Sequence, residues 1–297
     1  MNLKGKNVVI TGGAGFIGSH LAQHFLNEGS KVLVMDNLSV GKKEFIPDGA
    51  LFKKVDIRSK DLKSIMDVFE PDIVVHLAAI HYIPYCNANP EETFDVNVMG
   101  TRNLLKALNN DIKFFFASSG AVYPPIEKPC TEDLEGPIDI YGKTKIIGED
   151  LVKLYCKNPI IGRIFNVYGP RDLNPHLIPD IMEQLQKGEH KIKLGNLTPK
   201  RDFIHVEDVC RAIITLLEQN KSGTFNIGSG KAYSVKEVVD LISKSLDEKI
   251  EIIQENHRIR DTEREVLLSD ITKIHKETGW KPKIKLEEGL KSTRYLT

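Results

Sequence analysis

The chain has 297 residues with 41 basic and 41 acidic side chains, so it carries no electrostatic footprint for nucleic acid or an anionic membrane. No apolar run approaches the ~18 residues of a membrane span. The opening segment Met1-Asn2-Leu3-Lys4-Gly5-Lys6 leads directly into a strand pattern with no room for a signal peptide, so a soluble cytoplasmic protein is expected.

The length predicts about two domains. Cys86, Cys130, Cys156 and Cys210 form no CxxC, which argues against a disulfide framework or a thiolate zinc site. His20 and His24 are an i, i+4 pair, but no Glu follows His20, so they are expected to be packing or surface residues and no metal is implied.

In chain order, the apolar run Val8-Val9-Ile10 predicts a first strand, and helical spacing from Phe16 to Glu28 predicts a helix. Between them, Gly12, Gly15 and Gly18 give the spacing GxxGxxG. Such a turn lets the backbone approach a pyrophosphate at the helix N-terminus, where free amides and the positive dipole end favour an anion. Phe16 and Ile17 open that helix and are candidate cofactor contacts. A second strand, Lys31 to Met35, ends in Asp36, the carboxylate expected on an adenosine ribose diol. Neither Asn37 nor Leu38 offers a cation for a 2′-phosphate, so NAD is read rather than NADP.

A third strand, Leu51 to Val55, ends in Asp56-Ile57, expected near the adenine; Asp56 is nearly as good a cap for a helix from Ser59 to Phe69. The fourth strand, Ile73 to Leu77, leads into Ala78-Ala79, small residues over which a dinucleotide can pass. A helix is predicted from Glu92 to Asn110, with Phe94, Val98, Thr101, Leu105 and Leu108 on one core or interface face. Phe114-Phe115-Phe116-Ala117 is a fifth strand, apolar throughout as a parallel sheet covered on both faces requires.

A sixth strand spans Ile160 to Ile164. Asn166 to Arg171 then breaks the alternation with Gly and Pro. Further helices are expected at 178–187, 207–219, 234–246 and beyond Asp270, with strands at 192–194, 224–227 and 250–253. The pattern predicts an α/β fold: a doubly wound parallel Rossmann sheet over residues 1–165, to which 203–228 returns, and a smaller C-terminal α/β substrate lobe over 166–297.

Tyr141 and Lys145 are i, i+4 neighbours and share a helix face. Of eight tyrosines only Tyr141 has a lysine four residues on. A nearby ammonium is expected to lower the phenol pKa and make Tyr141 a base for an alcohol proton during hydride transfer.

With Thr11 to Gly18, Asp36, Ser118-Ser119 and Tyr141/Lys145, the chain resembles the extended short-chain dehydrogenase/reductase family in its nucleotide-sugar epimerase/dehydratase branch. Phe165 to Arg171, Lys200 to Val209 and Phe225 to Gly230 resemble that branch's later motifs. The resemblance implies tightly held NAD, a UDP-sugar across the cleft and a homodimer through the Glu92 and Tyr141 helices. It implies Ser119 as the hydroxyl bonding the reacting sugar oxygen, Tyr141 as the base, and Lys145 on the nicotinamide ribose. For the substrate diphosphate, Arg201 and Arg260 are expected, with Asn166 nearby; the alternative for Arg201 is an ion pair with Asp202. Arg260-Asp261-Thr262-Glu263 departs from the family's Arg-Pro-Gly-Asp, and the loop His81-Tyr82 is bulkier than a plain glucose epimerase implies. Related dehydratases have Asp-Glu after the catalytic hydroxyl, where this chain has Gly120-Ala121. The reading is therefore a UDP-sugar 4-epimerase, with a dehydratase, decarboxylase or reductase as the alternative and a redox-silent NAD-binding regulator as the second.

Overall fold

A computed structural model describes residues 1–109, 112–255, 258 and 264–292. Its centre is explained by the first strand, β1 (Asn7–Thr11). Successive strand side chains point to opposite faces, and here both faces are covered: Val8 and Ile10 enter one core cluster and Val9 the other. The same split places Val32, Val34, Ile73 and Val75 on one side and Leu33, Met35, Val74, Phe114 and Phe116 on the other. Unbroken apolar runs are thus the signature of a strand buried twice.

The chain continues through α1 (Phe16–Asn27), β2 (Lys31–Asp36), β3 (Leu51–Lys54), α2 (Leu62–Phe69), β4 (Ile73–His76), α3 (Ile83–Ala88) and α4 (Pro90–Phe94). After a wide π turn (Asp95–Gly100) come α5 (Thr101–Ala107), β5 (Lys113–Ser119), α6 (Ile140–Tyr155), β6 (Ile160–Ile164) and β7 (Asn166–Tyr168). The remainder is α7 (Leu177–Gln186), β8 (Lys191–Leu194), β9 (Lys200–His205), α8 (Val206–Glu218), β10 (Gly223–Ile227), β11 (Ala232–Ser234), α9 (Val235–Leu246), β12 (Glu251–Gln254), β13 (Val266–Leu267), α10 (Thr272–Thr278) and α11 (Leu286–Ser292).

Seven strands form one parallel sheet in the order β10-β6-β5-β4-β1-β2-β3. The chain winds outward from β1 to β3, returns to β4 on the other side of β1 and winds out again. The crevice at that reversal, outside the carboxyl ends of β1 and β4, is where such sheets take ligands. β10 lies in this sheet, but Lys200–His205 does not: β9 pairs with β7, β11 and β13 in a separate small sheet. α8 follows β9 and places Val206, Val209, Ile213 and Leu217 in the core of the large sheet. A third core joins Tyr168, Ile178, Ile181, Ile192, Phe203, Val238 and Ile242 beneath the smaller sheets.

Two predicted helices differ. The helix predicted from Ser59 begins at Leu62 with Asp61 at its N-cap, because Ser59 and Asp56 close a turn of their own. The long helix from Glu92 is interrupted at Asp95–Gly100, where the backbone widens and turns Phe94 out to solvent while Val98, Thr101 and Leu105 stay buried. No helix among the described residues is long and apolar enough to cross a membrane.

Candidate active site

The glycine turn fits a dinucleotide phosphate by its own geometry. Gly12 has φ +70°, and a Cβ there would lie 2.8 Å from the Ala78 amide nitrogen. At Gly18 a Cβ would lie 2.3 Å from the Gly12 carbonyl, so no other residue lets α1 begin this close to β1. Phe16 and Ile17 are half-buried at the start of α1. Asp36 sits at the carboxyl end of β2, accepting from the Ala14 amide at 3.0 Å and the Leu38 amide at 2.8 Å, which fixes a carboxylate beside the turn.

Leu77 and Ala78 lie against β1, held by Thr11, while Ala79 follows in the same loop. Asn37 donates to Asp56 at 3.0 Å. Asp56 is gripped by Arg58 at 2.9 Å, and the bonds from Arg58 and Asn37 hold its carboxyl well below the usual carboxylate range; Arg58 also reaches Asp95 at 2.8 Å. Asp56 therefore does not cap the following helix. Ile57 is buried against Gly100 and its carbonyl accepts from Asn103.

Ser119 ends β5 and accepts from the Ala121 amide at 3.1 Å. Tyr141 stands in the first turn of α6, which Asp139 caps by accepting from Gly142 at 2.7 Å. Gly142 is required, because a Cβ there would lie 2.3 Å from the Ala121 carbonyl. The Tyr141 phenol meets the Ser119 hydroxyl, which favours the tyrosinate. Lys145, one turn on, is buried; its Nζ donates to the Ala117 carbonyl at 2.8 Å and lies 5.6 Å from the Tyr141 ring centroid. The structure thus brings the three predicted catalytic groups together at one sheet edge.

The electrostatics correct one expectation. Burial raises the Tyr141 phenol above its ordinary value and outweighs Ser119, rather than Lys145 lowering it. Lys145 is tied to Ala117, and burial pushes it down to about 8 against the pull of Cys86 and Glu149. In the protein alone Tyr141 is thus held as a protonated phenol.

Arg201 donates Nη1 to the carbonyls of Lys200 and Arg264 at 2.9 and 2.8 Å. Its suggested partner Asp202 is instead fully buried, accepting from Ser229, Gly230 and Ser269. Asn166 opens β7 with an exposed side chain. Arg260 lies outside the described residues. His20 and His24 do more than fill a helix face: both meet the Glu207 carboxylate, at 2.9 and 2.7 Å, and tie α1 to α8.

A family model described as GDP-mannose 4,6 dehydratase matches residues 9–293. The chain belongs to the nucleotide-sugar epimerase/dehydratase branch of the extended short-chain dehydrogenase/reductase family. A UDP-glucose 4-epimerase of Lactobacillus helveticus is 34% identical over 305 residues, covering 93% of this chain and 92% of that protein. The UDP-glucose 4-epimerase of Thermotoga maritima, solved with UDP-glucose, superimposes with a TM-score of 0.89 at 31% identity, covering 98% of both chains. A UDP-N-acetylglucosamine 4-epimerase from Methanobrevibacter ruminantium M1, in complex with UDP-N-acetylmuramic acid, also gives 0.89 at 31% identity, covering 99% of this chain and 98% of that one.

This member of the family also holds its site with residues that the sequence reading missed. Arg264 donates to the carbonyls of Ala121 and Tyr123 and pairs with Asp139 at 3.3 Å, fastening the loop after β5 to the cap of α6. Asn97 bonds both backbone groups of Ile80 and Thr144 Oγ1, joining the loop after β4 to the same helix. Glu149 and Arg163 form a buried pair beside Ser118. Only Glu149 left a local signal, lying one turn beyond Lys145; the others depend on partners far away in sequence.

Proposed function

We propose that this chain is an NAD-dependent 4-epimerase of a UDP-sugar. The observation that carries the reading is the meeting of Ser119, Tyr141 and Lys145 beside the glycine turn, with buried Gly120 and Ala121 after the serine. Gly12, Gly15, Phe16, Ile17, Gly18 and Asp36 would hold NAD, whose bound nicotinamide supplies a hydride acceptor and later donor. Ser119 hydrogen-bonds the C4 oxygen of the sugar and Tyr141 takes the hydroxyl proton as C4 is oxidised. Lys145, one turn along the helix from Tyr141, orients the nicotinamide ribose. The 4-keto sugar turns over and Tyr141 returns the proton when C4 is reduced on its other face. Dehydration would need a further base for the C5 proton and an acid for the C6 hydroxyl. Gly120 and Ala121 supply neither.

Arg201 and Arg260 would bind the diphosphate, since planar guanidiniums suit bidentate phosphate contacts, with Asn166 beside it. The division into residues 1–165 for NAD and 166–297 for the nucleotide sugar, a cytoplasmic location and a homodimer complete the proposal. The dimer is supported by exposed Phe94 and Met99 beside exposed Ile147, Leu154 and Tyr155 of α6.

The test is incubation with UDP-glucose, UDP-N-acetylglucosamine and UDP-glucuronate in D₂O, followed by NMR. Inverted C4 without deuterium at C5 is expected. Deuterium at C5, a new C6 methyl or methylene, or released CO₂ would overturn the epimerase in favour of the dehydratase or decarboxylase.

A further inference from the structure

The loop between β4 and α3 carries His81, and the loop between β7 and α7 carries His176; their rings meet with centroids 5.7 Å apart at 57°. Each ring is fixed from its own side. On the first loop, Asn97 accepts from the Ile80 amide at 2.8 Å, donates to the Ile80 carbonyl at 2.8 Å and reaches Thr144 at 3.1 Å. The residue before His81 is thereby pinned to the helix that carries Tyr141 and Lys145. On the second loop, the buried Asp172 carboxylate accepts from the amide and side chain of Asn174, both at 3.1 Å, and from His176 Nδ1 at 3.0 Å.

The proton positions follow from the partners. A carboxylate can only accept, so His176 carries a proton on Nδ1. The His81 ring bonds the Ala79 carbonyl, another pure acceptor, which leaves its second nitrogen as a lone pair in the neutral ring. Burial, His176 and Lys145 together push His81 down to about 4 against the opposing pull of Asp172, so it is neutral at pH 7. The Asp172 carboxylate stands behind His176 and brings no cation to the pair of rings. Of the described charged groups named as acting on His81, Lys145 is the cation, and its Nζ donates to the Ala117 carbonyl. Among these described groups a carboxylate would be desolvated with no facing cation on either loop, whereas a hydroxyl or amide N–H would find an acceptor.

We propose that His81 and His176, backed by Asp172, line the sugar subsite and select an uncharged hexose over a hexuronate. The inference rests on the UDP-sugar reading above and names its substrate class. Calorimetry on the NAD-loaded protein with UDP-glucose, UDP-glucuronate and UDP tests it, for wild type, His81→Lys and His81→Asn. Wild type should bind UDP-glucose at least tenfold more tightly than UDP-glucuronate. His81→Lys, which adds a cation, should narrow that ratio about tenfold, and His81→Asn should leave the order unchanged, with UDP bound equally by all three. Equal or tighter binding of UDP-glucuronate by wild type, or a ratio unmoved in His81→Lys while UDP binding is retained, would overturn the proposal. Binding is read whether or not the sugar turns over. The expected ratios without C4 inversion would thus remove the epimerase reading alone, and C4 inversion with uronate preferred would remove this inference alone.

Discussion

Replacing Glu149 by alanine removes one half of the most deeply buried ion pair described in the protein. Arg163 and Glu149 are 1% and 0% exposed, and they meet through two bonds, Nε to Oε1 at 2.9 Å and Nη2 to Oε2 at 2.8 Å. Burial disfavours the Arg163 charge, but Glu149 outweighs it and raises the guanidinium pKa. Ser118 donates to the same carboxylate at 2.5 Å. In Glu149→Ala the guanidinium keeps the Glu132 and Leu134 carbonyls and the half-exposed Glu135 carboxylate at 2.9 Å. Among the described residues it loses its only fully buried counter-charge. Breaking such a pair costs about 3–5 kcal/mol, and the surviving contacts place this case near the lower end, about 3 kcal/mol. Removing both charges together, as in Glu149→Leu with Arg163→Met, should cost less than Glu149→Ala alone, since neither a charge nor a large cavity is left. Urea unfolding of the single and double variants gives the coupling, expected at about 2 kcal/mol or more. A loss below about 1 kcal/mol for Glu149→Ala, or strictly additive single losses, would mean that water reaches the pair and that the buried-charge argument is wrong.

Tyr141→Phe should leave the fold and NAD binding intact and lower turnover by about 10² to 10⁴, the usual worth of an acid–base group; retention of more than a tenth of the wild-type rate would refute the role. Asp36→Ala should weaken NAD and narrow the preference against NADP, and unchanged affinity for both in a fluorescence titration would remove Asp36 from the site. Arg201→Ala should lose affinity for free UDP, whereas calorimetry giving equal binding to mutant and wild type would reject it as a phosphate ligand. Burial holds His76 down at about 3, with Lys145 adding to the shift. Between there and the ordinary imidazole value the unfolded chain binds a proton that the folded chain refuses, so stability falls as pH falls. From pH 7 to 5 this amounts to about 2 kcal/mol, and His76→Asn should fall by that much less over the same interval in urea unfolding.

The strands, the glycine turn and the Tyr141/Lys145 helix were legible because each rests on local pattern. A twice-buried strand must be apolar at every position, as Val8-Val9-Ile10 and Phe114-Phe115-Phe116 are. Gly12 and Gly18 are demanded by a close approach within a few residues, and Tyr141 and Lys145 share a face through helical pitch alone. These features and their spacing were enough to point to the family.

Other properties depend on which distant segments meet, and no local pattern encodes that. The predicted helix from Glu92 became two helices around a π turn, and the predicted effect of Lys145 on Tyr141 gave way to burial. Residues 203–205, expected in the large sheet, lie instead in β9, which β7, β11 and β13 pair at separations of 30 or more residues. Arg264 reaches Ala121 across 143 positions, and His81 finds His176 only because two loops distant in sequence converge. The sequence by itself determined the class of fold, the glycine turn between β1 and α1 and the shared helix face of Tyr141 and Lys145, since these follow from spacing within single elements. The tertiary structure alone decided the electrostatic surroundings of Tyr141 and Lys145, the scaffold that holds them and the meeting of His81 with His176, because desolvation and pairing act through space and are summed over every segment that packs there.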